Sequence, residues 1–495
     1  MISNIKIDYR KSIKECIKKI EKNTFGICFV TNNNKLIGTV SDGDVRRAIL
    51  KNLSLDDPVR SIANKKFAYV FENYNYLELQ EKIKKFRIIP ILTKKGFIID
   101  FATDKRLRQI PQYEPFLEKK ELKYAVEAIN SGWISSRGKF ITNFEEEFKK
   151  KFKFKYCLLT SNGTTAIHLA LLTLNLKQND EVIVPNFTFV SPINSVILCK
   201  AKPVLVDVDY NNCCLDVKKV KKLINKKTRA IIAVHLYGHP ADIISLKKLC
   251  KKYNIVIIED CAEALGTYIG KKHVGSFGEF GTFSFFANKT ITTGEGGMVV
   301  FNKKEHYYLA KSLRDHGMSK NTRYWHEFVG FNYRITNIQA AIGLAQLEKF
   351  DEILKKKIKI FEYYKKQLMI NYFFELAREK KGTANCHWLV YLKLKNFAKS
   401  EYKKIRIKLI KFLKKNGVEC RTGFFAANLM PIYKKYVSKK ITYENSRLLS
   451  DTLLTLPSST TLNINEIKLI SNLINSFFKK LHFQKKIKLY LNHHQ

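Results

Sequence analysis

The sequence predicts an α/β fold: a parallel sheet covered on both faces, with a small paired module in front and a smaller mixed α and β domain behind. Three observations predict it. From about residue 118, short β-branched runs alternate with helical stretches. Those runs are almost wholly apolar, as strands buried on both faces are. The length of 495 residues exceeds one ordinary hydrophobic core, so two or three domains are expected.

Taken in order, residues 1–108 read as short alternating elements. "FGICFV" and "KLIGTV" are strands around an "NNN" turn, and "DGDVRRAIL" starts a helix capped by its acidic residues. A weaker second copy follows in "FAYVFE", the helix "YLELQEKIKKF", "IIPIL" and "GFIIDF". The polar segment "KRLRQIPQYEP" carries two prolines and places a linker at 109–117. The large domain, 118–350, opens on the amphipathic helix "KKELKYAVEAINSG", ended by glycine. "NGTTAIHLALLTLNL" is another helix, followed by the strands "DEVIVP", "KPVLVDVD", "AIIAVHLYG" and "NIVIIED". Lysine-rich helices such as "FDEILKKKIKIFEYYKKQL" then lead a C-terminal domain over 351–495.

Composition excludes several classes. Hydrophobic content of 45% and aromatic content of 12% argue for a globular protein rather than a disordered one. No apolar run approaches a membrane span, and the charged opening residues carry no signal peptide, so neither span nor anchor is expected. Ten cysteines show no CxxC pair and no metal-ligand spacing; reduced thiols in a cytoplasmic protein, without a metal, are expected. The net charge of +45 is mostly lysine spread along the whole chain, without base-reading signatures. No nucleic-acid partner is expected, although the field draws anionic small molecules.

Lys289 interrupts "FSFFANKTITTGEGGMVV" between aromatics and a glycine-rich turn. Four features converge on it. Asp260 ends the buried strand "NIVIIED", at the strand end where α/β proteins place ligands. "TSNGTTAIHLAL" puts a small polar turn at a helix start, an anion site by its free N–H groups and dipole. "PNFTFVSP" offers aromatics as stacking platforms, and "GFNYRITNIQAAIGLAQL" carries Asn332 and Arg334 into an apolar helix. Together they describe a planar phosphorylated cofactor with a ring nitrogen, held covalently by lysine.

Residues from about 112 to 480 resemble the sugar aminotransferases of the DegT/DnrJ/EryC1/StrS family. "SGWISSRGKFITNFEEEF", "SNGTTAIHLAL", "DEVIVPNFTFVSP", "VHLYGHPADI", "IIEDCAEALG", "FSFFANKTITTGEGGMV", "GFNYRITNIQAAIGLAQLEK" and "LPSS" carry the likeness in order. The resemblance implies the type I pyridoxal-phosphate transferase fold, with a mixed, mostly parallel sheet and a smaller C-terminal α+β domain. It also implies a homodimer with shared active sites. Lys289 would carry pyridoxal phosphate as a Schiff base, and Asp260 would pair with the ring nitrogen. Phe189 would stack on the ring and Glu263 would lie near its 3-hydroxyl, where many relatives have glutamine. Gly163, Thr164 and Ser284 would hold the phosphate, with Asn332 reaching it from the other subunit. Ala287 stands where relatives often have glycine. Lysine attacks a carbonyl only when neutral, so burial among Phe285, Phe286 and the cofactor is expected to lower the pKa of Lys289.

"GWISSRGKF", "NKTITTGEGGMV" and "GVECRTGFF" are most similar to the perosamine-synthetase-like branch of the family. That implies a nucleotide-linked 4-keto-6-deoxyhexose as amino acceptor and L-glutamate as donor, in surface glycan synthesis. GDP is the first choice of nucleotide, with UDP or dTDP as alternatives. Alanines in "RTGFFAANLMPIY" depart from the bulkier or polar residues of relatives at the sugar pocket. Family members that dehydrate sugars replace the lysine with histidine, so Lys289 argues against that chemistry. A non-catalytic nucleotide-binding regulator is disfavoured by the intact Lys289 and Asp260. The first 108 residues resemble a pair of CBS motifs, with Ser41 suited to a phosphate and Asp44 to ribose hydroxyls of a nucleotide; the second copy lacks the matching glycine, so a structural role stands beside a sensing one.

Overall fold

The computed structural model describes residues 2–23, 25–72, 74, 76–103, 110–368 and 371–492. Residues 104–109, which hold the end of the expected front module and the first residue of the expected linker, lie outside the described residues. The chain forms two compact units, one of residues 1–110 with 414–418, the other of residues 111–413 with 419–495.

The larger unit is built on seven strands: β1 (Tyr156–Thr160), β2 (Glu181–Pro185), β3 (Lys202–Val206), β4 (Thr228–Val234), β5 (Val256–Asp260), β6 (Phe280–Ser284) and β7 (Gly297–Phe301). Their order across the sheet is β1-β7-β6-β5-β4-β2-β3. β7 runs antiparallel to both neighbours and every other pairing is parallel. The mixed, mostly parallel sheet is therefore as expected. Every residue of β2 and β7 is buried, which explains why these segments read as unbroken apolar runs rather than alternating ones.

Helices cover the sheet. Lys139–Phe152 places Phe140, Phe144, Phe148 and Phe152 one turn apart on its buried face. Phe144 and Phe148 meet Phe285, and Phe148 also meets Phe283 edge-on at 5.3 Å. The apolar helix expected after Arg334 spans Asn337–Glu348, with a capping box between Thr336 and Gln339. The helix expected at the start of this region spans Lys119–Asn130, and Gly132 beyond it takes φ of +72°. The C-terminal part begins with the helix Phe350–Leu368 and adds a four-stranded antiparallel sheet ordered Phe374–Leu376, Tyr391–Leu394, Leu453–Thr455, Arg421–Thr422.

The smaller unit repeats one pattern. Lys6–Asp8 pairs parallel with Ile27–Asn32, which pairs antiparallel with Lys35–Ser41. Val70–Phe71, Ile88–Leu92 and Ile98–Thr103 repeat the order and sense. Asn33 and Asn34 take positive φ in the turn of the first hairpin, as an asparagine turn allows. The helix Asp42–Leu50 is capped by Ser41 rather than by an acidic residue; Asp44 answers it, its Oδ2 accepting the Ser41 N–H at 2.8 Å and hydroxyl at 2.6 Å. Asp44 also pairs with Arg47.

Candidate active site

Parallel strands aim their carboxyl ends at one edge of the sheet, and ligands of α/β proteins gather there. β5 delivers Asp260 to that edge. Its Oδ1 accepts the Ala262 N–H at 3.0 Å. Burial raises its pKa, and the Ala262 N–H and Lys289 hold it back. His235, just beyond β4, is fixed in one tautomer. Its Nδ1 accepts the Ala241 N–H at 3.0 Å, so the proton sits on Nε2, 3.0 Å from Glu259 Oε2. Glu259 also accepts the N–H groups of Gly275, Phe277 and Gly278, tying the approach to β6 to the end of β5.

Glu263 follows in the turn after β5. Its Oε2 accepts the Tyr237 N–H at 2.8 Å, and its Oε1 lies 3.8 Å from Lys289 Nζ. Burial pushes its pKa up to about 7, against the pull of Lys289 and the Tyr237 N–H. Lys289 sits in the turn after β6, its side chain 14% exposed. Burial lowers its pKa, and Glu263 and then Asp260 oppose that shift. The main chain around it is pinned: Lys289 N–H donates to Phe286 O at 2.9 Å, Tyr113 donates its hydroxyl to Lys289 O, and Trp388 Nε1 donates to Asn288 O at 2.6 Å.

Phe286 does not help to bury Lys289, contrary to expectation. Alternation past the end of β6 turns Phe285 into the core, fully buried, and leaves Phe286 44% exposed. The ring that meets Lys289 Nζ is Trp388, with its centroid 4.0 Å away. Trp388, Tyr113 and Tyr237 went unread in the sequence because each lies far along the chain from Lys289, and "HWLVYL" carries only a strand signal.

The turn expected to bind an anion lies at the start of the helix Gly163–Leu172, whose N-cap Asn162 accepts the Thr165 N–H at 2.9 Å. A Cβ on Gly163 would come within 2.8 Å of Ser284 Cβ, so only glycine lets the end of β6 approach the first turn. Thr164 Oγ1 and Ser191 Oγ are 2.7 Å apart. Phe189 is 55% exposed, its ring 6.1 Å from that of Phe424. Thr188 Oγ1, beside it, and Asn288 Oδ1, beside Lys289, are buried without a hydrogen-bond partner. Lys289, Glu263 and Asp260 thus come together, as do Gly163 with Ser284 and Thr164 with Ser191. Asn332 is exposed, its Oδ1 accepting Arg334 Nε at 3.1 Å, and no described hydrogen bond joins it to the others.

This geometry suits a planar group with three handles: an anion for the helix start, a protonatable nitrogen for a buried carboxylate, and a carbonyl for the Lys289 amine. Solved structures give the class. The Helicobacter pylori aminotransferase PseC, involved in the biosynthesis of pseudoaminic acid, is 26% identical and superimposes with a TM-score of 0.71 over 75% of this chain and 100% of that one. An aminotransferase from Psychrobacter cryohalolentis, 27% identical, gives 0.69 over 74% and 99%. The protein is a pyridoxal-phosphate-dependent aminotransferase.

Residues 115–475 match the DegT/DnrJ/EryC1/StrS aminotransferase family, and the chain belongs to it. Residues 1–51 match the CBS domain. The GDP-perosamine synthase of Vibrio cholerae is 43% identical over 369 residues, 74% of this chain and 99% of the relative. That of Escherichia coli O157:H7 is 40% identical over 372 residues, 75% and 99%. Among the described residues no helix is long and apolar enough to cross a membrane.

Proposed function

We propose that the protein moves an amino group from L-glutamate to a GDP-linked 4-keto-6-deoxyhexose, in the cytoplasm, for surface glycan synthesis. The observation that carries the reading is the 43% identity to a GDP-perosamine synthase over 99% of that enzyme's length. When bound, pyridoxal phosphate supplies an electron sink for the carbon that loses its proton. In this reading Lys289 is the covalent anchor and proton carrier, and its lowered pKa keeps a share of the amine neutral, as attack on a carbonyl requires. Asp260 would hold a proton on the ring nitrogen, and that positive charge would in turn favour the ionised carboxylate against the burial that raises its pKa.

Gly163, Thr164 and Ser284 would receive the phosphate at the helix start, and Asn332 would reach it from a second subunit. Phe189 would cover one ring face. Glu263 would accept a hydrogen bond from the ring hydroxyl while holding the Tyr237 N–H. The homodimer is supported by Leu122, Val126 and Ile129 on the helix Lys119–Asn130, 66%, 44% and 55% exposed, an apolar stripe at three- and four-residue spacing. In the front module we place a nucleotide at Ser41 and Asp44, whose mutual hydrogen bonds it would replace.

The test is a panel of 4-keto-6-deoxyhexoses linked to GDP, UDP or dTDP, each added to protein first converted by L-glutamate. Recovery of the aldehyde-form absorbance with the GDP sugar, at least tenfold faster than with the others, is expected. Recovery only with a UDP- or dTDP-linked sugar would overturn the nucleotide assignment, and recovery with none would overturn the substrate class.

A further inference from the structure

The Lys289 amine has an unusual neighbourhood for a group that must lose its proton. Glu263 Oε1 is 3.8 Å away on one side, and the face of Trp388 lies 4.0 Å away on another. A carboxylate and an indole face both favour an ammonium, the ring through its negative quadrupole. The other titratable groups acting on Lys289 are Asp260, from the end of β5, and Cys386, two residues before Trp388.

Trp388 is held on every side. Its indole N–H donates to Asn288 O, next to Lys289 in the chain. Its carbonyl accepts from Lys357 Nζ at 3.0 Å, and that buried ammonium also donates to Ser458 O at 3.1 Å. Its ring runs 10° from parallel to Tyr237, 6.1 Å away, and Tyr237 is backed in turn by Phe424 at 5.5 Å and 14°. Tyr237 itself is locked: it takes φ of +54°, its N–H goes to Glu263, and its hydroxyl oxygen accepts the Phe424 N–H at 3.2 Å. One backbone unit therefore sets both Glu263 and the ring stack that presents the Trp388 face. A ring serving only as core filler would not need its edge fixed by a hydrogen bond, its plane by a stack and its main chain by a buried lysine.

We propose that the face of Trp388 is the station at which Lys289 holds its ammonium once the free amine has taken up a proton, with Glu263 opposite. The inference rests on Lys289 being the covalent anchor proposed above. In that role Trp388 keeps the proton on Lys289 between the two proton movements of a turnover and keeps the amine at a fixed distance from Asp260. Lys357 and Tyr237 are positioning residues that act through the indole.

The experiment varies the quadrupole without changing the size of the ring. Full-length protein freed of cofactor is produced with tryptophan replaced by mono-, di- or trifluorotryptophan. Reaction of Lys289 with trace acetic anhydride at pH 7 is then followed by peptide mass spectrometry. Each added fluorine weakens the ring's hold on the ammonium, so more Lys289 is neutral and it acetylates faster. The expected total increase is roughly 2- to 30-fold, the range for loss of a cation–π contact. Trp133 and Trp325 are replaced too, so the series is repeated in Trp388→Phe, where the dependence on fluorination must vanish. A flat rate across the series, or a slope that survives in Trp388→Phe, overturns the proposal. Borohydride reduction of cofactor-loaded protein separates this from the underlying reading: cofactor trapped on Lys289 with a flat series removes only the Trp388 station, whereas no cofactor on Lys289 removes the anchor itself.

Discussion

Glu263→Gln tests the electrostatics of the site in the absence of any cofactor. The Glu263 carboxyl is raised from an ordinary 4.5 to about 7, chiefly because burial disfavours its charge. Between those values the folded protein keeps a proton that the unfolded chain has released. Stability therefore falls as pH rises through this window, and the full loss is present above about pH 7. At ~1.4 kcal/mol per tenfold change in proton affinity, the loss between pH 5 and pH 8 comes to about 2 to 3 kcal/mol. Glutamine carries no proton to lose, and its side-chain oxygen still accepts the Tyr237 N–H. The variant should thus gain about 2 to 3 kcal/mol over the wild type between pH 5 and pH 8. The assay is urea unfolding of cofactor-free protein followed by tryptophan emission, because Trp133, Trp325 and Trp388 all lie in the larger unit. The same pH dependence in both proteins would refute the reasoning, since it would mean that Glu263 titrates alike folded and unfolded.

Asp260→Asn should leave the cofactor's ring nitrogen largely unprotonated and slow the proton-transfer steps by about two orders of magnitude or more in single-turnover kinetics; near-normal rates would take Asp260 out of the site. Gly163→Ala should weaken cofactor binding by about 10- to 100-fold in an equilibrium titration, because the new methyl meets Ser284 Cβ at 2.8 Å and overpacking of this kind costs about 1–3 kcal/mol. Deletion of residues 1–108 should leave an active aminotransferase, and calorimetry should find nucleotide binding to the full chain that is lost both on deletion and in Asp44→Ala. Binding that survives in either variant would move the nucleotide elsewhere.

Much of the architecture was legible because its strands are extreme. Buried on both faces, β2, β4 and β5 carry unbroken apolar cores (Val182–Val184, Ala230–Val234 and Val256–Ile258), and the helices between them supplied the contrasting period. The glycine-ended helix Lys119–Asn130 and the asparagine turn at 33–34 were readable from local chemistry alone. Asp260 and Gly163 stood out because a strand end and a helix start announce themselves in sequence. The walls of the site did not. Trp388 reaches Lys289 from the C-terminal part of the chain, Tyr113 from before the first helix of the unit, and Tyr237 through a left-handed backbone that no local rule demands of a tyrosine. Phe286 misled for a related reason: an aromatic beside a buried lysine in sequence need not share its direction once the strand has ended. Ser41 was read as a ligand group, and the structure gives it a definite local task as N-cap of Asp42–Leu50.

The account turns on one bond. Protein purified with pyridoxal phosphate is reduced with borohydride, digested and mapped by mass spectrometry, with and without prior conversion by L-glutamate. The account predicts reduced cofactor attached to the peptide containing Lys289 in the untreated sample, and loss of that adduct once glutamate has released the amine. Cofactor attached at any other lysine, Lys357 included, or an adduct on Lys289 that glutamate leaves unchanged, would contradict it.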